Sequence, residues 1–267
     1  MSSTAKQAAR EARSSTPLRL LARGGYAANG VAHIIIGIIA LVISGGGPGE
    51  SDQAGAFLAI AQAPLGFAAL WAMAVLLGAL GLWHAAEGVA VMRRSDLTKW
   101  GVRVSEWGQA LIFVALGAIA ASVALGARPN AEQTAQEASR GVLNIPGGPW
   151  VLALVGVAIA GGGVAFVVMG VRRSFHDKVA VPDGALGTAV TALGVVGFLA
   201  KGVALGVVGV LLVIAAVTVD AETAGGVDGA IRALLDVFGG PFLVAAVGTG
   251  FVAYGVFCLF RARYARL

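Results

Sequence analysis

Residues 25–44 read GYAANGVAHIIIGIIALVIS, a run without any acidic residue, lysine or arginine. Its length matches the roughly 20 residues that a helix needs to cross a bilayer. Five further stretches of similar apolar character follow, with approximate bounds of 65–92, 105–126, 150–171, 197–219 and 241–260. The sequence therefore predicts an all-α protein, a polytopic transmembrane helix bundle with six spans.

The overall composition agrees with a membrane protein. Hydrophobic residues make up 58% of the chain and charged residues 12%, whereas soluble domains average about 45–50% and about 25%. The single cysteine, Cys258, excludes an intramolecular disulfide. The net charge of +5 is explained by basic segments facing anionic lipid headgroups. We therefore predict the lipid bilayer as a partner and no nucleic acid.

Charged residues are distributed unevenly between the loops. Three of them, here called the acidic loops (45–64, 127–149 and 220–240), together contain eight acidic and three basic residues. The opposite side, here called the basic face, carries fifteen basic residues: Lys6, Arg10, Arg13, Arg19, Arg23, Arg93, Arg94, Lys99, Arg103, Arg172, Arg173, Lys178, Arg261, Arg263 and Arg266. Loops rich in Lys and Arg stay in the cytoplasm. This predicts a multi-pass protein of the cell inner (plasma) membrane with both termini cytoplasmic and residues 1–22 as a cytoplasmic tail.

The chain contains an internal repeat. The sequence GYAANGVA at 25–32 aligns without a gap with GFLAKGVA at 197–204, and GGPW at 147–150 recurs as GGPF at 239–242. Each repeat contains two spans, so the chain returns to the same side and the repeats are parallel. We predict three helical-hairpin repeats with a pseudo-threefold arrangement, and their bounds are 23–96, 97–178 and 185–267.

Many of the 40 glycines lie inside the predicted spans. Gly30 and Gly37 are seven residues apart, as are Gly202 and Gly209, so each pair lies on one helix face two turns apart. Glycine on a transmembrane helix allows close approach of a neighbouring backbone. Close packing is therefore the first interpretation, and a glycine hinge or a thin-walled pore is the alternative.

Polar side chains inside the spans are few, and they are Asn29, His33, His84, Glu87, Glu106, Gln109 and Lys201. The repeat superposes Asn29, Gln109 and Lys201, which predicts one polar layer near the cytoplasmic face. An ionisable residue inside a membrane is a functional hypothesis by default. Two interpretations stay open: a hydrogen-bonded ring that holds the repeats in register, and a cation or proton site open to the cytoplasm.

Specific pairings are expected inside this layer. His33 and His84 reach the same depth on antiparallel spans, so they are candidates for a hydrogen-bonded or proton-relaying pair. Axial ligands of a haem, or ligands of a metal with Glu87, are the less favoured alternative. A buried Lys201 needs a partner, and Glu87 or Glu106 is the candidate. Residues 185–196 are also apolar, so the fifth helix has an alternative, earlier start.

The sequence contains none of the common motifs of soluble enzymes. The glycine-rich run at 45–49 lacks the lysine of a phosphate-binding loop, and no His-Glu-x-x-His or Gly-x-Ser-x-Gly occurs. We therefore expect no enzyme and no cofactor. The outer halves of the spans, such as Ile38–Val42, are apolar, which favours a structural or accessory membrane subunit. A small cation or proton transporter or channel is the alternative, and a haem- or metal-binding redox subunit is third.

Two short motifs resemble a known family. They are Arg-Gly-x-Tyr-Ala-x-x-Gly-Val at 23–31 and Gly-x-x-x-Tyr-Gly-Val-Phe at 250–257, and the chain is similar in them to the actinobacterial domain of unknown function 1206. The second repeat departs from the pattern, with Glu106 at the tyrosine position. The resemblance implies a six-span inner-membrane protein with three repeats, and it carries over no activity. One further expectation is a short amphipathic surface helix within 227–238 of the third acidic loop.

Overall fold

The computed structural model describes Gln7, Glu11, residues 14–90 and residues 96–266. The basic residues Lys6, Arg10, Arg13, Arg93 and Arg94 of the topology prediction lie outside the described residues. Nine α-helices are described: α1 Thr16–Ser44, α2 Gln53–Ala61, α3 Gly66–Ala90, α4 Asp96–Ala124, α5 Ala131–Leu143, α6 Gly148–Arg172, α7 Gly184–Thr218, α8 Gly226–Leu235 and α9 Gly240–Tyr264. Short 3₁₀ helices cover Ser174–Asp177 and Ala221–Thr223.

Six of these helices are long and apolar enough to cross a membrane: α1, α3, α4, α6, α7 and α9. This confirms the predicted fold class, an integral membrane protein with six spans. The ends differ from the prediction, because α1 begins at Thr16, inside the segment predicted as a tail. The leucines at 18, 20 and 21 are good helix formers, and Pro17 is tolerated in the first turn, so the helix extends past the membrane-spanning residues.

The fifth span also begins early, as the alternative interpretation predicted. Helix α7 starts at Gly184, before the first bound of 197. Lys201 lies 17 residues before Thr218, or about 25 Å from the end of α7 next to the third acidic loop, at about 1.5 Å per residue. Asn29 lies 15 residues before Ser44, or about 22 Å from its own helix end. The extra turns of α7 thus extend its basic end. Counted along its own helix from the end next to an acidic loop, Lys201 has nearly the same position as Asn29.

Each acidic loop contains a short helix, α2, α5 or α8. The sequence predicted only α8, which runs over Gly226–Leu235 instead of 227–238. Helix α2 is apolar on nearly every side, so it lacks the periodicity that indicates a surface helix. The turns after these helices are equivalent as well, because Leu65, Gly147 and Gly239 all adopt positive φ angles of 63°, 77° and 75°.

The chain forms two compact units. Unit 1 comprises the residues up to Asn29, Ile60–Ala127 and the residues from Cys258 onward, and unit 2 comprises Gly30–Ala59 and Arg128–Phe257. One buried cluster of unit 1 contains Ala22, Tyr26, Leu80, Trp83 and Ala265. The largest buried cluster described in unit 2 contains Ile36, Ala40, Ile43, Ala56, Ala204, Ile231, Val244, Val247 and Phe251. Both clusters combine side chains that are far apart in sequence.

Close helix pairs recur at equivalent positions of the repeats. A Cβ added at Gly163 of α6 would lie 2.7 Å from the carbonyl oxygen of Gly202 on α7. The same distance, from an added Cβ to the facing carbonyl oxygen, is 3.0 Å for Gly81 of α3 and Ala110 of α4. It is 2.5 Å for Gly255 of α9 and Gly30 of α1. In each pair, the second span of one repeat packs against the first span of another. These glycines therefore serve close helix packing, as the first interpretation predicted.

A buried carboxylate joins the acidic loops in unit 2. Asp228 accepts hydrogen bonds from the backbone N–H of Ser51 at 2.8 Å, from the Ser51 hydroxyl at 3.1 Å and from Nε of Arg232 at 2.7 Å. Arg232 also lies 3.9 Å from Glu132. One residue cluster thus includes side chains from all three acidic loops.

The neighbouring Asp52 is sensitive to pH. Burial raises the pKa of this carboxyl above its usual value, although a hydrogen bond from the N–H of Gly55 works in the opposite direction. A raised folded-state pKa means that the stabilising contribution is complete below the unfolded-state pKa and is lost as the pH rises through the folded-state value. Asp52 therefore stabilises the folded state of unit 2 more at acidic pH than at higher pH.

Candidate functional site

A buried hydrogen bond joins the second and third spans in unit 1. Nδ1 of His84 on α3 lies 2.6 Å from Oε2 of Glu106 on α4, and the two side chains are 3% and 5% exposed. The close approach of Gly81 and Ala110 brings the two helices together one turn from this bond. Both residues belong to the polar set predicted from the sequence, but the sequence did not predict that they pair with each other.

The bond extends into a chain of polar groups. The Tyr26 hydroxyl lies 3.3 Å from Nε2 of His84, and Nη2 of Arg261 donates to the Tyr26 oxygen at 3.0 Å. The guanidinium carbon of Arg261 also lies 4.1 Å from the centroid of the Tyr26 ring. We call Arg261, Tyr26, His84 and Glu106 the unit 1 network. All four residues lie within unit 1.

The donors and acceptors of the unit 1 network are complementary. Arg261 can only donate, so the Tyr26 oxygen accepts its hydrogen bond. The Tyr26 proton is then available to Nε2 of His84, which leaves the proton on Nδ1 for the Glu106 carboxylate. This assignment places a neutral imidazole between two charged ends. A proton on the network has three exchangeable positions: the phenol, the imidazole and the carboxyl group.

Aromatic rings cover the histidine. Phe113 of α4 stacks on His84 with centroids 5.5 Å apart and an interplanar angle of 18°. Tyr26 meets the same imidazole edge-on, at 6.2 Å and 88°. The local dielectric constant is therefore low, which strengthens the hydrogen bonds and raises the cost of losing one partner.

The other predicted residues of unit 1 lie around this network. Asn29 is buried, and its amide nitrogen lies 3.6 Å from the sulfur of Cys258, a weak acceptor. Glu87 is partly buried on α3, one turn beyond His84. Gln109 is partly exposed, and its amide donates to the carbonyl of Ser105 in its own helix at 3.5 Å. The structure thus separates Gln109 from the buried network.

Lys201 and His33 belong to unit 2, where both lie beside Tyr254. The Lys201 ammonium is 4.4 Å from the Tyr254 ring centroid and 5.1 Å from that of Phe166. The His33 ring centroid is 4.8 Å from that of Tyr254. These contacts give Lys201 a cation–π environment. The predicted pairs His33–His84 and Lys201 with Glu87 or Glu106 each join residues of different units, and they stay predictions.

Comparison with known proteins identifies the family. The sequence profile described as Domain of Unknown Function (DUF1206) matches residues 24–90, 107–173 and 196–265. The chain belongs to this family. The three matches confirm the predicted internal repeat. A relative in Bacillus subtilis (strain 168), "Uncharacterized protein YxxB", is 21% identical over 251 residues, which cover 92% of this chain and 91% of the relative. No solved structure matches the chain.

Sequence reasoning did not identify three residues of this site: Tyr26 and Arg261 of the unit 1 network, and Phe113, which stacks on His84. A signal for Tyr26 existed, because the repeat alignment superposes it on Glu106, so both occupy the same helical position in their repeats. From the sequence, Arg261 is interpreted only as one of the basic residues that indicate topology. Its position directly after the last apolar span also places its long side chain within reach of the buried hydroxyl.

Ligation of haem or a metal by His84 would disrupt the unit 1 network. Both ring nitrogens of His84 are within hydrogen-bond distance of protein groups, so a ligand bond to either one requires loss of Glu106 or Tyr26. Within residues 14–90 and 96–266, no three His, Cys, Asp or Glu side chains are grouped to hold a metal ion. The arrangement suits hydrogen bonding and proton exchange.

Proposed function

We propose that the protein is a structural or accessory subunit of a plasma-membrane complex, with both termini in the cytoplasm and no catalysis or cofactor of its own. The excess of basic residues on one side supports this orientation. One observation carries the proposal: a seam of small residues on the exposed face of α4. We infer that a further transmembrane helix packs against that seam.

The third and fourth spans are the least covered of the six. In their most apolar windows, 22% of residues of α4 and 17% of α6 are buried, against 39–56% for the other spans. A span at the surface of a monomer is covered by lipid or by another protein. These two spans therefore offer the largest surface for association.

The exposed face of α4 carries four small residues, here called the α4 seam: Gly101, Ser105, Gly108 and Ala115, with the larger Ile112 on the same stripe. The spacing of four and three residues places them on one stripe of the helix. A Cβ added at Gly101 or Gly108 meets nothing within 4 Å. Glycine costs about 1 kcal/mol relative to alanine in a helix, and small residues in lipid favour close helix pairing. The α4 seam supports docking of a partner helix.

The test compares two positions of α4 in native membranes. A photo-crosslinking residue at position 108 is expected to form a protein adduct, whereas the same residue at position 118 forms lipid adducts only, because Ala118 is exposed but lies about 100° around α4 from the middle of the seam. Gly108→Leu is expected to weaken association measured by energy transfer in liposomes about tenfold, since the added side chain separates the helices.

The matched control is Ala118→Leu, which enlarges an exposed side chain about 100° around α4 from the middle of the α4 seam. It is expected to leave association unchanged. Crosslinks to lipid alone at both positions, or equal effects of Gly108→Leu and Ala118→Leu, would reject the accessory-subunit proposal. A protein adduct with the same mass as the chain itself would identify self-association.

A second candidate function is a proton site open to the cytoplasm, and the 2.6 Å bond between His84 and Glu106 favours it. Wild-type protein in liposomes is then expected to dissipate an imposed pH gradient, measured with an enclosed pH-sensitive dye. Glu106→Gln removes the ionisable carboxyl and is expected to reduce the rate at least tenfold, because proton transfer through the network needs that group. Gln109→Ala is the control. A wild-type rate equal to that of empty liposomes would exclude this function.

A further inference from the structure

A cleft of about 650 Å³ lies in unit 2, where the connection between α6 and α7 meets the first turns of α7. It belongs neither to the unit 1 network nor to the α4 seam. Its polar walls come from Arg173, His176, Asp183, Thr188 and Thr191, and its apolar walls include Val195 and Val196.

The residues that line the cleft change from polar to apolar along α7. Thr188 and Thr191 lie about one turn apart near the basic end, and Val195 and Val196 follow one turn further toward the middle of the span. The cleft is therefore polar at the membrane surface and apolar at depth. A phospholipid has the same order of polarity, with a polar headgroup followed by hydrocarbon.

The charged residues lining the cleft, Arg173 and Asp183, balance, but the connection as a whole carries a small excess of positive charge. The segment 172–183 contains Arg172, Arg173 and Lys178 against Asp177 and Asp183, a net charge of +1 with histidine neutral. The Arg173 side chain is exposed at the cleft, and arginine presents a planar set of donors that fits a phosphate group. His176 holds the connection against α7, since its Nε2 lies 3.1 Å from the Thr191 hydroxyl.

We propose that this cleft binds one anionic phospholipid from the leaflet at the basic face. Arg173 binds the phosphodiester, the side chains of Thr188 and Thr191 lie beside the headgroup, and an acyl chain follows Val195 and Val196. The occupant is a lipid instead of a free phosphate ion, because the apolar wall adds affinity only for a ligand with a hydrocarbon chain. Asp183 opposes the negative headgroup and limits the affinity.

The test uses the purified full chain in a neutral detergent, with lipid binding measured by native mass spectrometry. Phosphatidylglycerol is expected to bind as one molecule and more tightly than phosphatidylcholine. Arg173→Gly is expected to lower the affinity for phosphatidylglycerol about fivefold, which corresponds to about 1 kcal/mol for one basic side chain at the membrane surface. Glycine suits this position, where the backbone φ is +54°, so the variant keeps the turn.

Two further variants complete the test. Asp183→Asn removes the opposing charge and is expected to raise the affinity for phosphatidylglycerol severalfold, while Arg140→Ala, an exposed change in the second acidic loop, leaves it unchanged. Equal binding of the two lipids, or wild-type affinity in Arg173→Gly, would overturn the proposal. Full displacement of the lipid by millimolar inorganic phosphate would assign the cleft to a soluble anion instead.

Discussion

Replacing Glu106 by alanine is expected to lower the free energy of unfolding by about 1–3 kcal/mol, because it removes the carboxylate that accepts the hydrogen bond from the buried Nδ1–H of His84. The lost bond is the 2.6 Å contact between Oε2 and Nδ1 of His84, with both side chains almost fully buried. The measurement is reversible denaturation in mixed micelles, followed by far-UV circular dichroism and tryptophan fluorescence.

The control variant is Gln109→Ala, on the same helix three residues further along. Gln109 is partly exposed, and the described contact of its amide is with its own helix backbone. Its loss is expected to change the free energy of unfolding by no more than about 0.5 kcal/mol, as is usual for substitutions away from buried contacts. Equal losses for Glu106→Ala and Gln109→Ala would contradict the network.

The repeat itself suggests a compensated variant. The positions equivalent to His84 and Glu106 in the next helix pair are Phe166 and Phe198, whose rings stack with centroids 5.7 Å apart. Replacing both polar partners by apolar groups of suitable shape is often nearly neutral. The double variant His84→Phe/Glu106→Phe is therefore expected to regain part of the stability that Glu106→Ala loses, since it also removes the described acceptor of the Tyr26 hydroxyl. A stable double variant that no longer conducts protons would favour the second candidate function.

The six spans and three repeats were predictable because hydrophobic length, charge asymmetry and repeated glycines are local properties of the sequence. The partner of His84 was not, because spacing along a helix gives depth but not the direction in which a side chain faces. The hairpin prediction favours contacts inside one repeat, as in the predicted pair His33–His84, although the predicted partners of Lys201 lie in other repeats. The close contacts of Gly81 and Gly163 instead join the second span of one repeat to the first span of the next.

The short helices of the acidic loops were likewise only partly predictable from the sequence. Helix α8 has an amphipathic sequence and was expected, whereas α2 has apolar residues on almost every side. The buried contacts of Ala56 and Ile231 in one cluster depend on tertiary packing of distant segments. The local sequence pattern does not predict such packing, because the apolar surface that covers α2 comes from other parts of unit 2.

Replacing Gly163 by alanine is expected to lower the free energy of unfolding by about 1–3 kcal/mol, a typical cost of overpacking. The new Cβ would lie 2.7 Å from the carbonyl oxygen of Gly202 and 2.8 Å from the backbone nitrogen of Gly206. Both are backbone atoms of α7, so relief requires the two helices to move apart. The measurement is thermal denaturation in micelles, with loss of helix monitored by circular dichroism.

The adjacent glycines provide matched controls, because Gly161, Gly162 and Gly163 occupy consecutive positions of α6. A Cβ at Gly161 or Gly162 meets nothing within 4 Å, and alanine is about 1 kcal/mol more favourable than glycine in a helix interior. Gly161→Ala and Gly162→Ala are therefore expected to leave stability unchanged or to raise it slightly. Destabilisation of similar size in all three variants would mean that glycine at these positions serves backbone flexibility, as the hinge interpretation requires, and not the contact of Gly163 with α7.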